Sequence, residues 1–152
     1  MKRIEKLLDE YGESHQNPTN KAVHWICVPV IVWTVMAGLY ALPMPGGAPW
    51  FNWLTIVIAL ALIYYLVLSP TLAIGVLAYL VLGYWIIQAI EAASPWPVWQ
   101  VAAVVFVIAW IGQFWGHKVE GKKPSFLKDV QFLLIGPAWL LSFIYKRLGI
   151  PV

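Results

Sequence analysis

The sequence predicts an all-α integral membrane protein: four transmembrane helices, an N-terminal amphipathic helix and a C-terminal re-entrant or interfacial helical segment, in one domain over residues 1–152. Three observations carry this. Hydrophobic residues make up 61% of the chain and charged ones 11%, whereas a soluble domain has about 25% charged residues and less than about half apolar ones. The apolar residues are blocked into long runs. All ten Lys and Arg lie in residues 2–21, 118–128 and 146–147, flanking those runs, as membrane-orienting charges do. The net charge of +3 therefore suggests no nucleic-acid role.

Residues 2–12 place Ile4, Leu7, Leu8 and Tyr11 at helical spacing with Lys2, Arg3, Lys6 and Asp9 elsewhere. This is a short amphipathic helix for a membrane surface or for the bundle, ended by Gly12. Glu13 to Asn20 forms a polar loop with an Asn-Pro turn signal and carries His15. Asn20 is a suitable N-cap for the first span, 22–42, with His24 near its first turn and Pro29 as a kink inside it. No secretory signal peptide is expected, because the first apolar run begins behind this polar segment and is long enough to span. Cys27 is alone, which excludes an intrachain disulfide and reads as a packed thiol.

The loop 43–49 precedes an apolar stretch from Trp50 to Glu91, too long for one crossing of about 30 Å. Ser69-Pro70 divides it, Ser as N-cap and Pro at the first helical position, into spans 50–68 and 70–90. Tyr64 and Tyr65 read as packing residues, Gln88 and Glu91 as solvated helix-end residues. The fourth span is 96–116, followed by a basic inner loop, 117–129. In the last segment, 130–148, the apolar run Val130–Tyr145 is too short to span comfortably at 1.5 Å per residue. Gly136-Pro137 breaks its middle, which predicts a re-entrant or interfacial helix pair, with a fifth span as the alternative.

Loops 43–49 and 91–95 have no basic residue, so both termini are expected in the cytoplasm. The membrane is the inner membrane of a bacterium or the endoplasmic reticulum of a eukaryote. Trp50, Trp53, Trp96 and Trp99 would form the outer aromatic belt, Trp25 and Trp115 the inner one.

This topology gathers the chain's three histidines, His15, His24 and His117, at one side and one depth. Glu120, three residues from His117, shares its helix face. Gly121 then stops the helix and Pro124 prevents its continuation. Gln113, Asn17 and Asn20 are suitable supporting groups around a ligand set. His24 near a helix start is biased towards its neutral form, and Glu120 at a helix end is an anion that a cation would relieve. Neutral imidazoles with one carboxylate suit iron, zinc or manganese, and an open coordination position suits non-haem Fe(II) and oxygen chemistry. The plainer reading is of interfacial histidines, with Glu120 paired to Lys118, Lys123 or water. Three histidines are too few for a membrane di-iron desaturase, and there is no Gly-rich phosphate loop and no H-E-x-x-H.

The pattern Y-x-x-x-H (Tyr11, His15), N-P-x-N (Asn17 to Asn20), His24, then Q-x-x-G-H-x-x-E-x-x-x-P (Gln113, Gly116, His117, Glu120, Pro124) resembles the Mpo-type 2-hydroxy fatty acid dioxygenases. These are small multispan membrane proteins formerly grouped as a domain of unknown function, and the resemblance covers nearly the whole chain. It implies Fe(II)-dependent removal of one carbon from a 2-hydroxy fatty acid by molecular oxygen, within fatty acid α-oxidation. His15, His24, His117 and Glu120 would be the metal and catalytic residues. Two departures are Ser125, where relatives usually have Ala, and Tyr145-Lys146, where they often have Glu. A 2-hydroxy acid can chelate iron through hydroxyl and carboxylate. Its head would lie near Lys21, Lys118, Lys122 and Lys123, and its tail would run between the spans. Competing readings are a non-enzymatic scaffold or lipid-binding protein, a zinc-dependent lipid hydrolase at the same histidines, and a transporter. The last is disfavoured by the lack of an ionisable residue at mid-membrane depth.

Overall fold

The computed structural model describes residues 2–121 and 126–152, the side chains of 126–132 excepted. The described residues form six helices and no sheet: α1 (Arg3–Glu13), α2 (Pro18–Ala41), α3 (Trp53–Leu68), α4 (Pro70–Ala93), α5 (Val98–Glu120) and α6 (Phe126–Leu148). Ala48 and Phe51 make an isolated bridge that closes the turn before α3.

Each helix boundary has a local cause. Asn17 caps α2: its side chain accepts from the Thr19 and Asn20 backbone N–H groups, and Pro18 occupies the first helical position. The expectation that Asn20 caps this helix is thus corrected. Both asparagines can cap, but Pro18 supplies the φ that a first helical residue needs, so nucleation begins one turn earlier. His24 consequently lies in the second turn, where the helix dipole is weaker than a first-turn position would give. Ser69 caps α4 through the Leu72 N–H, with Pro70 first in the helix. Gly121, at φ +79°, ends α5 in the left-handed conformation that glycine adopts without strain.

Among the described residues, three helices are long and apolar enough to cross a membrane: Pro18–Ala41, Pro70–Ala93 and Val98–Glu120. The expected second span, 50–68, is shorter than its apolar run. Trp50 and Phe51 are held in the turn and Asn52 caps the helix, so α3 has 16 residues. That is about 24 Å, short of a hydrocarbon core of about 30 Å. The C-terminal segment departs from expectation too. It is one helix through Gly136 and Pro137, not a pair. Gly136 lies where an added Cβ would meet Val28 Cγ1 at 3.0 Å and Tyr11 Oη at 3.1 Å. Close packing on α1 and α2 thus holds the helix across residues that would break it in isolation.

The most extensive packing is between α2 and α5. Glycines bring the two backbones together: a Cβ on Gly112 would stand 2.9 Å from Cys27 Sγ, and one on Gly116 2.6 Å from Asn20 Oδ1. Small residues at such a seam are how membrane helices gain dispersion contact where lipid offers no hydrophobic drive. α6 packs on α1, α2 and α4. The Tyr65 hydroxyl donates to the Leu134 carbonyl and the Tyr145 hydroxyl to the Thr71 carbonyl at 2.5 Å. α6 therefore bonds to both sides of the Ser69 turn. Tyr64 and Tyr65 pack with the core as expected, and the Tyr79 hydroxyl donates to the carbonyl of Pro29. Glu91, expected as a solvated or helix-end residue, is exposed in the last turn of α4, and its Oε1 also accepts from the Val98 N–H at 2.8 Å at the start of α5.

Candidate metal centre

The three histidines come from three different supports. His15 follows the end of α1, where Ser14 is the C-cap. Its ring stacks on Tyr11, centroids 4.2 Å apart and planes 7° apart, and its Nδ1 lies 2.5 Å from the Tyr11 carbonyl. His24 is on α2, with Nδ1 2.9 Å from the Asn20 carbonyl. His117 is on the last turn of α5. All three are buried. Their rings form a triangle with centroid separations of 4.2 Å (His15–His24), 5.2 Å (His24–His117) and 5.8 Å (His15–His117).

The donor set fits a metal. One ring nitrogen from each histidine lies within 4.8 Å of the others, as ligands about 2 Å from one ion would. A carbonyl oxygen only accepts, so the bonds at Nδ1 make His15 and His24 the Nδ1–H tautomers and leave Nε2 as the lone-pair donor. Orienting a ligating imidazole by a hydrogen bond from its other nitrogen is the usual device of metal sites. Three imidazoles leave positions for further ligands, as an open catalytic site requires.

Glu120 is placed differently. Its Oε1 accepts from the Gln16 N–H at 3.0 Å, and its Oε2 accepts from the Asn17 N–H at 2.7 Å and from Asn20 Nδ2 at 3.3 Å. The carboxylate at the end of α5 is thus met by N–H groups at the start of α2, where anions are favoured. Burial acts to raise its pKa, but the hydrogen bonds from Asn17, Gln16 and Asn20 outweigh it and the carboxyl titrates below its ordinary value. The His15–His24–His117 group does not include it.

Asn17 and Asn20 reach this clamp, and Asn20 Nδ2 also donates to the Ser14 carbonyl at 3.2 Å. Gln113 is buried one turn before His117 on α5. Lys21 follows Asn20, and Lys118 is exposed in the last turn of α5. Lys122 and Lys123 lie outside the described residues. One support was missed by sequence reasoning. Trp139 of α6 packs 5.1 Å from Tyr11 and 5.4 Å from His15. No spacing rule connects residues so far apart, and Trp139 lies within a run that reads only as apolar.

Long apolar helices enclosing three histidines at one end define a helical membrane protein with a buried site that could hold a metal ion. The chain belongs to the family described as 2-hydroxy-palmitic acid dioxygenase Mpo1-like, whose match runs over residues 1–148. No curated protein and no solved structure matches it.

Proposed function

We propose that this protein is an Fe(II)-dependent dioxygenase that shortens 2-hydroxy fatty acids by one carbon, the chemistry of fatty acid α-oxidation. The observation that carries the reading is the convergence of three buried histidines in a chain of a dioxygenase family. Bound Fe(II) supplies the one-electron chemistry that dioxygen needs to react with a closed-shell acid. A balanced outcome is a fatty acid one carbon shorter, carbon dioxide and water. His15, His24 and His117 hold the ion, and Glu120 holds the backbone that presents two of them. Lys21 and Lys118, with Lys122 and Lys123, attract the substrate carboxylate to the interface. With the basic segments in the cytoplasm, the head group reaches the site from that face.

The substrate tail would occupy the apolar interior of the bundle. A cavity of about 130 Å³ lies among α2, α3, α4 and α6, lined by Val32, Met36, Tyr65, Tyr79, Leu134 and Pro137 among others. A cavity of roughly 150 Å³ accepts a benzene-sized group, so this one takes a few methylenes. The rest of the tail lies between helices and lipid.

The test is anaerobic purification, metal analysis, and assay of 2-hydroxypalmitate with and without oxygen. Iron at one equivalent and oxygen-dependent shortening are expected. Oxygen-independent turnover of a lipid ester supported by zinc points instead to the hydrolase, and a metal-free protein that binds lipid without turnover points to the scaffold.

A further inference from the structure

Gln113 is a buried amide in an apolar helix, 7% exposed, and its Oε1 has no hydrogen-bond partner among the described residues. Leaving such an acceptor dry is costly, and buried polar groups are nearly always paired, so each exception calls for a donor. Polar side chains inside a membrane span are rare for the same reason and mark sites by default.

Its position says which donor. Residues four apart stack on one helix face, so Gln113 lies directly beneath His117. The α2–α5 seam fixes its level: Gly112 meets Cys27 and Val23, and Gly116 meets Val23 and Asn20. Gln113, between those glycines, is therefore level with His24. It stands on the membrane-interior side of His117, where the first carbons of a tail leave a head group held at the histidines. The neighbouring case is different. Asn20 Oδ1 also lacks a conventional partner, but it lies against the Gly116 backbone at the closest approach of the two helices, where a Cα–H contact suffices.

Resting on the function proposed above, we infer that Gln113 is the residue that reads the 2-hydroxyl group: the substrate O–H donates to Gln113 Oε1 and selects 2-hydroxy acids over plain fatty acids. A site with an acceptor set aside for a hydroxyl rejects the analogue lacking it, because the acceptor is then buried unpaired. Gln113 positions the substrate and is not a metal ligand.

The experiment uses detergent-solubilised protein purified anaerobically with its metal. Equilibrium binding of 2-hydroxypalmitate and palmitate is measured without oxygen, by tryptophan fluorescence, for wild type, Gln113→Met and Gln113→Leu. Melting temperature without lipid is measured alongside. Wild type should prefer the hydroxy acid, and both variants should lose that preference by roughly ten- to a hundredfold. Their metal content should be unchanged. Without lipid, Gln113→Met should melt a few degrees higher, because an unpaired buried amide is replaced by an apolar chain of similar length. A residue with a purely structural role, its oxygen satisfied by an internal water, predicts the reverse: lower melting temperature and intact discrimination. Either result overturns the assignment. If wild type itself shows no preference, the dioxygenase reading fails with it. If wild type prefers the hydroxy acid and both variants keep that preference, only the role of Gln113 is refuted.

Discussion

Replacing Glu120 separates a clamp from a ligand. Its carboxylate accepts three hydrogen bonds, from Gln16 N, Asn17 N and Asn20 Nδ2, and these fix the loop that carries His15 and the first turn of the helix that carries His24. A buried hydrogen bond to a charged group contributes about 1.5–3 kcal/mol. This carboxylate is only partly buried, and the released N–H groups can reach water, so Glu120→Ala should lower stability by about 1–2 kcal/mol in all. Glu120→Gln should behave similarly, because one of its two acceptor atoms becomes a donor facing an N–H. Metal affinity should weaken roughly 10–100-fold, as expected for a group that orients ligands without touching the ion. The assays are thermal melting in detergent and iron titration under nitrogen. Two results refute the reasoning. Complete loss of metal binding, matching a histidine deletion, would make Glu120 a ligand. Unchanged stability with unchanged affinity would make the clamp inert. The pH dependence gives a third reading. The folded pKa is lowered, so the stabilisation is present above the ordinary carboxylate value of 4.5 and is lost as pH falls through the lowered one. The difference in melting temperature between wild type and Glu120→Gln should be constant near neutral pH and shrink on acidification.

Alanine at His15, His24 or His117 should each abolish stoichiometric iron and oxygen-dependent turnover; a triple variant with wild-type metal content, by elemental analysis, contradicts the site. Gly116→Ala places a Cβ 2.6 Å from Asn20 Oδ1 and 3.3 Å from Val23 Cγ1, so melting should show a loss of about 1–3 kcal/mol from overpacking, and metal affinity should fall because Asn20 also serves Glu120. Asn17→Ala removes the α2 cap and should cost about 0.5–2 kcal/mol, read by the same melting curves. In a Cys27→Ser background, single cysteines at positions 46 and 122 should label from opposite sides of the membrane; labelling from one side sinks the proposed topology.

Much of the architecture was legible because single residues decide it. Ser69-Pro70 divides one apolar run into two helices, and Gly121 stops α5, since each has a backbone preference that no neighbour overrides. The gathering of His15, His24 and His117 followed from charge alone: basic residues at one end of every helix pair put all three histidines at that end. What was not legible depends on contacts between distant segments. Asn17 and Asn20 are equivalent caps in isolation, and the choice falls to Pro18. Gly136-Pro137 reads as a break, yet Tyr11 and Val28 pack against Gly136 and the helix continues. Glu120 reads as a neighbour of His117 on one helix face, yet its carboxylate is taken by N–H groups about a hundred residues earlier in the chain. No periodicity links Trp139 to His15.

The three histidines are not held equally, and this follows from their supports. His24 and His117 stand on the two helices that pack most extensively among the described residues, with Gly112 and Gly116 at the seam. Their separation is set by α2 side chains packed against the α5 glycines and leaves little room for adjustment. His15 lies outside any helix, on the connection from α1 to α2. Its ring is located by Tyr11 above it, by Trp139 beside it and by the Tyr11 carbonyl at Nδ1. Tyr11 in turn rests on α6 at Trp139 and Gly136. The C-terminal helix therefore has a task beyond covering apolar surface: it holds the flat aromatic face on which the least constrained of the three histidines is oriented. Glu120 closes the arrangement from the other side, because it ties the end of α5 to the backbone just after His15. A site built this way needs every helix of the chain that touches α1, α2 or α5 to be in place before the three nitrogens meet.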